Sequence, residues 1–275
     1  MVDIINKKNK YQHKLIYTYY NKIPTIAVCF YGLCRSTNYT IESINKCIFT
    51  PLKELNFKYD IYLHTYNVNT PYTNIRNDEY NITLDNNLYK LLNSTIHKID
   101  NQEDIKKMIN FVKYRSKGDP WSNQYRSLDN LILGLYSLNQ VTQLWKNSNK
   151  TYDYIIYLRP DVKFINSLTL SFFLNLDDTN IALPNNNEYP INDRFAIGTP
   201  NVMLSYGERY LNAYDYSLTN KLHAETYLKY ILDKNKINII KINFNFHRIR
   251  ANGFNYDENK LVSYIHIIKD SLFTS

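Results

Sequence analysis

The sequence predicts a single α/β domain with a mostly parallel central sheet flanked by helices. Three observations lead there. Thr25–Tyr31 (TIAVCFY) and residues 59–66 (YDIYLHTY) are β-branched and aromatic runs, with a segment carrying helix signals between them. Strand, helix and strand in such close succession open a parallel unit with a right-handed crossover. Tyr154–Leu158 is apolar throughout, the pattern of a strand buried on both faces. No internal repeat and no Pro/Gly/Ser-rich linker divides the 275 residues, a length that suits one large domain.

The elements follow in order. Residues 1–23 are basic and tyrosine-rich without the continuous apolar stretch of a secretory signal, so they are expected to form an arm ahead of a domain spanning 24–275. Gly32 breaks the first strand, and Ser36 or Thr37 can cap a helix over residues 39–49, with Glu42 in its first turn. Residues 67–85 are polar and irregular, a loop long enough to expect a function for it. A short helix at Leu88–Leu92, a strand at 95–99 and an amphipathic helix at 103–114 come next. Residues 117–122 (KGDPWS) read as a turn that exposes Trp121. The longest helix is expected over 124–146, with Leu128, Leu131, Leu135, Leu138 and Val141 on one face. After the strand at Tyr154–Leu158, an extended pattern resumes at Val162–Phe164. A short helix at 169–176 and strands at 180–183 and 193–197 follow. Helices are expected at 201–214 and 223–232. A strand at 237–242, a possible continuation over 244–249 and an extended run at 261–268 complete the chain.

Composition narrows the function classes. The formal net charge is +8, which favours anionic partners such as a nucleotide diphosphate, an anionic glycan or nucleic acid. The 27 tyrosines and 6 glycines, with abundant Asn, Ile and Lys, match A/T-rich coding, which accounts for part of the lysine excess. No block of six basic residues and no nucleic-acid motif occurs, so nucleic acid is not the expected partner. Three cysteines without a Cys-x-x-Cys pair argue against a disulfide framework or a zinc site and fit a reducing compartment. No apolar run is long enough to span a membrane. Neither a Gly-x-Gly-x-x-Gly nor a Walker A motif is present, which disfavours dinucleotide oxidoreductases and P-loop enzymes. His-Glu-x-x-His and Gly-x-Ser-x-Gly are absent too. Phosphates, if bound, must meet a metal and Arg or Lys side chains, not a glycine nest.

The most informative stretch is the end of the central strand, Arg159-Pro160-Asp161. Pro160 cannot donate to a sheet ladder, so the strand stops there. Asp161 is thereby held at the carboxyl end of a central strand, where open α/β sheets bind ligands. A carboxylate on rigid backbone suits a divalent cation carrying a diphosphate. A surface turn in which Asp161 pairs with Arg159 or Lys163 is the competing reading.

The order of motifs resembles glycosyltransferases of the GT-A type, in particular small enzymes common in giant viruses and some microbes. It comprises Gly32-Leu33-Cys34-Arg35 after the first strand, then Asp60-Ile61-Tyr62-Leu63-His64-Thr65, then Arg159-Pro160-Asp161. Asp193-Arg194-Phe195-Ala196-Ile197-Gly198, Glu225 at the opening of a late helix, and Arg248-Ile249-Arg250 follow. The set runs from Thr25 to Gly253. The resemblance implies a GT-A-like (Rossmann-like) domain that moves a sugar, as a hexosyltransferase, from a nucleotide diphosphate donor, UDP-sugar first, to a hydroxyl of a glycan or protein. It implies Mn²⁺ or Mg²⁺ at Asp161, and a location in the cytoplasm, of a host or associated with a virus. Arg159 stands where the usual Asp-x-Asp motif has its first Asp, which opens the question of whether arginine partly replaces the metal.

Individual residues carry paired readings. Arg35 follows a strand–Gly turn, where a nucleotide base or phosphate would lie, or is a surface arginine. Asp60 caps or pairs. His64 touches the donor base or ribose, or is a satisfied histidine of the interior. Asp193 is the first candidate general base for the acceptor hydroxyl, or pairs with Arg194. Glu225 is the second candidate base, or a carboxylate stabilised at a helix N-terminus. The resemblance makes His247 a metal ligand. Strand alternation sets His247 opposite to Arg248 and Arg250, and the two arginines are the preferred diphosphate ligands. Two other functions stay open: a degenerate transferase fold that binds sugar or nucleotide without turnover, and a nucleotidyltransferase.

Overall fold

Strand β1, Thr25–Tyr31, sends two kinds of side chain to its two sides. Ile26, Val28 and Phe30 join one core cluster, while Ala27, Cys29 and Tyr31 join another. Around this strand the computed structural model, which describes residues 22–75, 78–186 and 189–255, builds a seven-stranded sheet. Its order is β10 (Asn238–Ile242), β8 (Asn180–Pro184), β9 (Phe195–Gly198), β6 (Tyr154–Leu158), β1, β2 (Lys58–Asn67) and β5 (Ile96–Asn101). β1 pairs in parallel with β2 and β6, β2 with β5, and β10 with β8. β9 runs antiparallel to β6 and β8. The mostly parallel α/β domain read from the sequence is the architecture observed. The arm at 1–21 and the extended run at 261–268 lie outside the described residues.

Both faces of the sheet are covered, as parallel strands require. Helix α1 (Thr37–Ile44) runs through a wide turn at Asn45–Phe49 into α2 (Thr50–Glu54) and packs Ile44, Ile48 and Leu52 on one face. Phe173, Phe195, Phe244 and Phe246 fill the remainder of that layer. Each large apolar side chain so buried contributes roughly 1.5–3 kcal/mol. The small Ala27 and Cys29 share the opposite face with Leu138, Val141 and Trp145 of the long helix Arg126–Lys146, and β6 is pinned to that helix by polar contacts. The Tyr157 hydroxyl, fully buried, accepts from Trp145 Nε1 at 2.8 Å and bonds with Thr142 Oγ1 at 2.7 Å. Thr142 Oγ1 in turn donates to the Leu138 carbonyl at 2.7 Å, which leaves Tyr157 O–H as the donor to Thr142. Burial pushes the Tyr157 phenol well above its ordinary range.

Several expected elements differ, each for a packing reason. The helix expected at 103–114 stops early: α3 (Gln102–Met108) is capped by the Asn101 side chain, which accepts from Glu103 N and Asp104 N. Ile109 turns extended, and a 3₁₀ turn at Phe111–Tyr114 follows, so that Ile109 and Tyr114 both reach the core. With α4 the long helix Arg126–Lys146, the helix expected at 201–214 is broken into α5 (Pro200–Gly207), a 3₁₀ turn and α6 (Ala213–Thr219). The break falls at Gly207, where an added Cβ would collide with the Thr142 and Tyr157 side chains. Only Leu170–Phe172 is helical of residues 169–176, because Phe172 and Phe173 both bury. Helix α7 (Ala224–Lys234) occupies the expected position. The polar loop at 67–85 contains a two-stranded hairpin, β3 (Tyr72–Asn74) with β4 (Glu79–Ile82). Residues 244–249 do not extend β10. Instead β11 (Phe246–Arg248) pairs antiparallel with β7 (Val162–Phe164) in a separate ribbon. The three cysteines are free and buried. Among the described residues no helix is long and apolar enough to cross a membrane.

Candidate functional site

β6 is buried along its whole length and ends at Leu158, and the turn Arg159-Pro160-Asp161 leads into the β7–β11 ribbon. Neighbouring elements fix that turn. Thr40 Oγ1 of α1 donates to the Pro160 carbonyl at 2.6 Å, Ile249 N donates to the Asp161 carbonyl at 2.9 Å, and Ser36 Oγ donates to the Ile249 carbonyl at 3.0 Å. Ser36 precedes α1 as expected, but its hydroxyl is spent on this tie and not on a helix cap.

The Asp161 side chain is 4% exposed, and both its oxygens are engaged. Oδ1 accepts from Arg159 Nε at 2.8 Å. Oδ2 accepts from Arg159 Nη2 at 2.6 Å and from Arg35 Nη2 at 3.0 Å. Burial alone would raise its pKa. The charges of Arg159, Arg35 and Arg250 outweigh burial and hold the carboxyl well below the usual carboxylate range.

Arg35 reaches this point because Gly32, at φ +96°, turns the chain sharply after β1. Its Nη1 donates to the Tyr72 hydroxyl and lies 3.6 Å from Glu79 Oε2. Glu79 is fully buried; its Oε1 accepts from Ala251 N at 2.8 Å, and its Oε2 has no hydrogen-bond partner. Arg250 completes the cluster. Burial and the neighbouring Arg35 lower its pKa to about 10, with Asp161 and Glu79 acting in the opposite sense. Arg35, Arg159 and Arg250 thus act on Asp161, Arg35 and Arg250 also act on Glu79, and Arg248 lies near Arg250.

His247 does not share this arrangement. In the β7–β11 ribbon it stands opposite exposed Lys163, whereas Arg248 stands opposite buried Val162. Cross-strand partners share a face, so His247 and Arg248 lie on opposite faces. Among the described residues no group of three His, Cys, Asp or Glu side chains is arranged to hold a metal ion. The Mn²⁺ or Mg²⁺ expected at Asp161 and His247 does not fit these donors: both Asp161 oxygens are taken by guanidiniums, Glu79 is held by Ala251 N and Arg35, and the surrounding charge is positive.

His64 lies in the interior, fully buried at the end of β2. Its Nδ1 meets Ser137 Oγ at 2.7 Å and its Nε2 meets Asp100 Oδ2 at 3.1 Å. Burial lowers the imidazole pKa, and Ser137 Oγ donates to the His64 carbonyl at 3.1 Å. Ser137 Oγ also accepts from Gly32 N at 2.8 Å. His64 thus ties β2, β5 and α4 together behind the Gly32 turn, the interior histidine of the two readings given for it and not a donor contact. Asp60 forms an ion pair with Lys150 at 2.8 Å and accepts from the Tyr152 hydroxyl, the pairing role read for it.

A second cluster adjoins the first. β9 runs antiparallel to β6 with Phe195 opposite Leu158, so Arg194 and Asp193 come alongside Arg159. The Asp193 carbonyl accepts from the Tyr31 and Tyr206 hydroxyls at 2.9 and 2.7 Å, which fixes its backbone. Its carboxylate lies 3.4 Å from Arg194 Nη1, and Oδ1 is buried without a hydrogen bond. Arg194 Nη2 donates to Glu225 Oε1 at 3.3 Å, and His223 Nδ1 is 3.3 Å from Glu225 Oε2. Burial and the nearby Asp193 raise the Glu225 pKa to about 7, against the pull of Arg194. Trp121 is not exposed as expected. It stacks on His223 at 4.9 Å, and Tyr189 meets the same imidazole edge-on at 5.8 Å. Asp119 sets Trp121 there by accepting from Trp121 N, Asn123 N and Tyr125 N.

The structure therefore groups Arg35, Arg159, Asp161 and Arg250 around one centre, and Asp193 with Glu225 around an adjoining one. It separates His64 and His247 from both. Glu79 and Tyr72 are cluster residues that the sequence reading missed, while Arg194 was read only as a partner of Asp193 and Trp121 only as an exposed turn residue. Glu79 and Tyr72 sit in a polar Asn-rich segment with no periodicity to mark them, whereas Arg194 directly follows Asp193 in the sequence. Behind Arg35 a cavity lined by Cys34, Thr65, Tyr66 and Asn86 measures about 10 Å³, room for one water at most. A separate cavity of about 230 Å³ lies between α5 and α7, lined by Ser205, Glu208 and Lys234, apart from both clusters.

No protein-family model matches the chain, and no curated protein is similar to it in sequence. Among solved structures it is similar to the apo-form glycosyltransferase GlyE of Streptococcus pneumoniae TIGR4, at 11% identity and a TM-score of 0.40 over 80% of this chain. The match spans 45% of that longer protein.

Proposed function

We propose that this protein is a glycosyltransferase that moves a sugar from a nucleotide diphosphate donor, UDP-sugar first, to a hydroxyl acceptor. The observation that carries the reading is the arginine cluster at the carboxyl end of β6: Arg35, Arg159 and Arg250 converge there with an excess of positive charge. Guanidiniums present paired donors that match phosphate oxygens, and the carboxyl end of a central strand is where such sheets bind ligands. When a sugar is transferred, charge builds on the departing diphosphate, and donors fixed in place beforehand stabilise it without reorganising.

The adjoining cluster supplies the acceptor chemistry. A general base works best with a pKa near the working pH, which favours Glu225 over Asp193, the reverse of the order read from the sequence. In this reading Asp193 raises Glu225, Arg194 orients it, and the Trp121–His223 stack offers a flat aromatic surface beside it. The saturation of Asp161 by two arginines gives one observation to the alternative, a fold that binds a nucleotide or sugar without turnover. A thermal-shift screen of UDP-, GDP-, ADP- and dTDP-sugars tests the binding half, since a ligand specific to the native state raises its melting temperature. At least one should raise it in wild type, with the shift lost in Arg250→Ala. A panel in which free sugars act and no nucleotide sugar does would overturn the assignment.

A further inference from the structure

The arginine cluster is built around carboxylates that do not act as metal ligands. A divalent cation at Asp161 would have to take an oxygen from the paired Arg159 fork or from Arg35, with both guanidiniums in contact and Arg250 adding positive charge from the segment that Ile249 N ties to Asp161. Like charges at such distances repel strongly where water is scarce. His247 gives no help, since it lies on the other face of its ribbon. Asp161 instead braces two guanidiniums: it fixes the plane of Arg159 and the end of Arg35.

Glu79 shows what kind of ligand the cluster accepts. Its carboxylate is fully buried, yet Oε2 makes no hydrogen bond and lies 3.6 Å from Arg35. A carboxylate buried with one hydrogen bond, from Ala251 N, and one long ion pair is costly unless the surroundings themselves demand an anion, and Arg35 and Arg250 do. Glu79 arrives on the short β3–β4 hairpin, which forms a sheet separate from the central one. Its contact with Arg35 is of a kind that a phosphate oxygen would make better.

We propose that the site binds a diphosphate without a divalent cation, with Arg35, Arg159 and Arg250 in the role of the metal and Glu79 as the internal anion that the ligand displaces. This rests on the reading of the ligand as a nucleotide diphosphate. Displacing an internal competitor reduces the apparent affinity, so removing its charge restores affinity.

The test is calorimetric titration of the full chain with UDP, in EDTA and again in excess Mn²⁺, with inorganic pyrophosphate in EDTA as the probe that lacks a base. UDP should bind in EDTA within about twofold of its affinity in Mn²⁺, and Glu79→Gln should bind pyrophosphate about three- to tenfold more tightly than wild type. UDP binding in Mn²⁺ alone overturns the metal-free site and leaves the nucleotide diphosphate ligand standing. No UDP binding in either buffer overturns the ligand itself, and the metal-free site with it. Pyrophosphate binding unchanged in Glu79→Gln removes Glu79 from the proposal; the wild-type EDTA titration decides the rest whether or not that variant folds.

Discussion

At the scale of single residues, Glu225 makes the sharpest statement. Its carboxyl sits among Asp193, Arg194 and His223, and its pKa is raised from an ordinary 4.5 to about 7. Because the folded chain holds this proton more tightly than the unfolded chain, stability falls as pH rises between about 4.5 and 7. Glu225→Gln has no proton to lose there. The melting temperature of the variant should therefore gain on wild type steadily across that window and level off above it. A difference that is the same at every pH would mean that Glu225 is not perturbed. Acceptor-dependent turnover of wild type should rise through the same pH range as the base ionises, and Glu225→Gln should lose roughly 10²–10⁴-fold. If Asp193→Asn suffers that loss and Glu225→Gln does not, the base is Asp193.

At the scale of elements, β6 and α4 hold the site in place. Trp145 and Thr142 of α4 close on the Tyr157 hydroxyl, four residues before Asp161. Tyr157→Phe strands the buried Trp145 N–H, so it should cost about 1–3 kcal/mol in urea unfolding while donor binding persists. A loss within about 0.5 kcal/mol, typical of surface changes, would show that the triad contributes nothing. The strands of this layer were legible because their signals are local: the runs at Thr25–Tyr31 and Tyr154–Leu158 begin and end in the structure where apolar residues begin and end in the sequence. The helices were less legible because tertiary contacts cut them. Gly207 ends α5 to make room for Tyr157, and Ile109 leaves α3 to reach the core, neither of which a periodicity in one segment can report. Asp161, Arg35 and Arg250 were visible as motifs. The partner of Arg35 on the hairpin, Glu79, was not, since nothing near it in the sequence distinguishes it from other polar loop residues.

At the scale of the molecule, sheet order does what no single motif can. Placing β1 between β2 and β6 brings the Gly32 turn beside the end of β6, and the β7–β11 ribbon folds Arg250 back over both. Residues from Arg35 to Arg250 thus meet at one edge of the domain, with Asp193 and Glu225 beside them. The net charge of +8 favours the approach of an anionic donor. The same whole-chain arrangement serves transfer, binding without turnover, or nucleotidyl transfer, and turnover separates the three. The decisive measurement is release of nucleoside diphosphate from the nucleotide sugar that binds, with and without a panel of hydroxyl acceptors, in wild type and in Arg159→Ala. The account predicts release that depends on an acceptor, a product heavier by one sugar, and loss of both in the variant. Tight binding without release under any acceptor, or pyrophosphate release from nucleoside triphosphates instead, would contradict it.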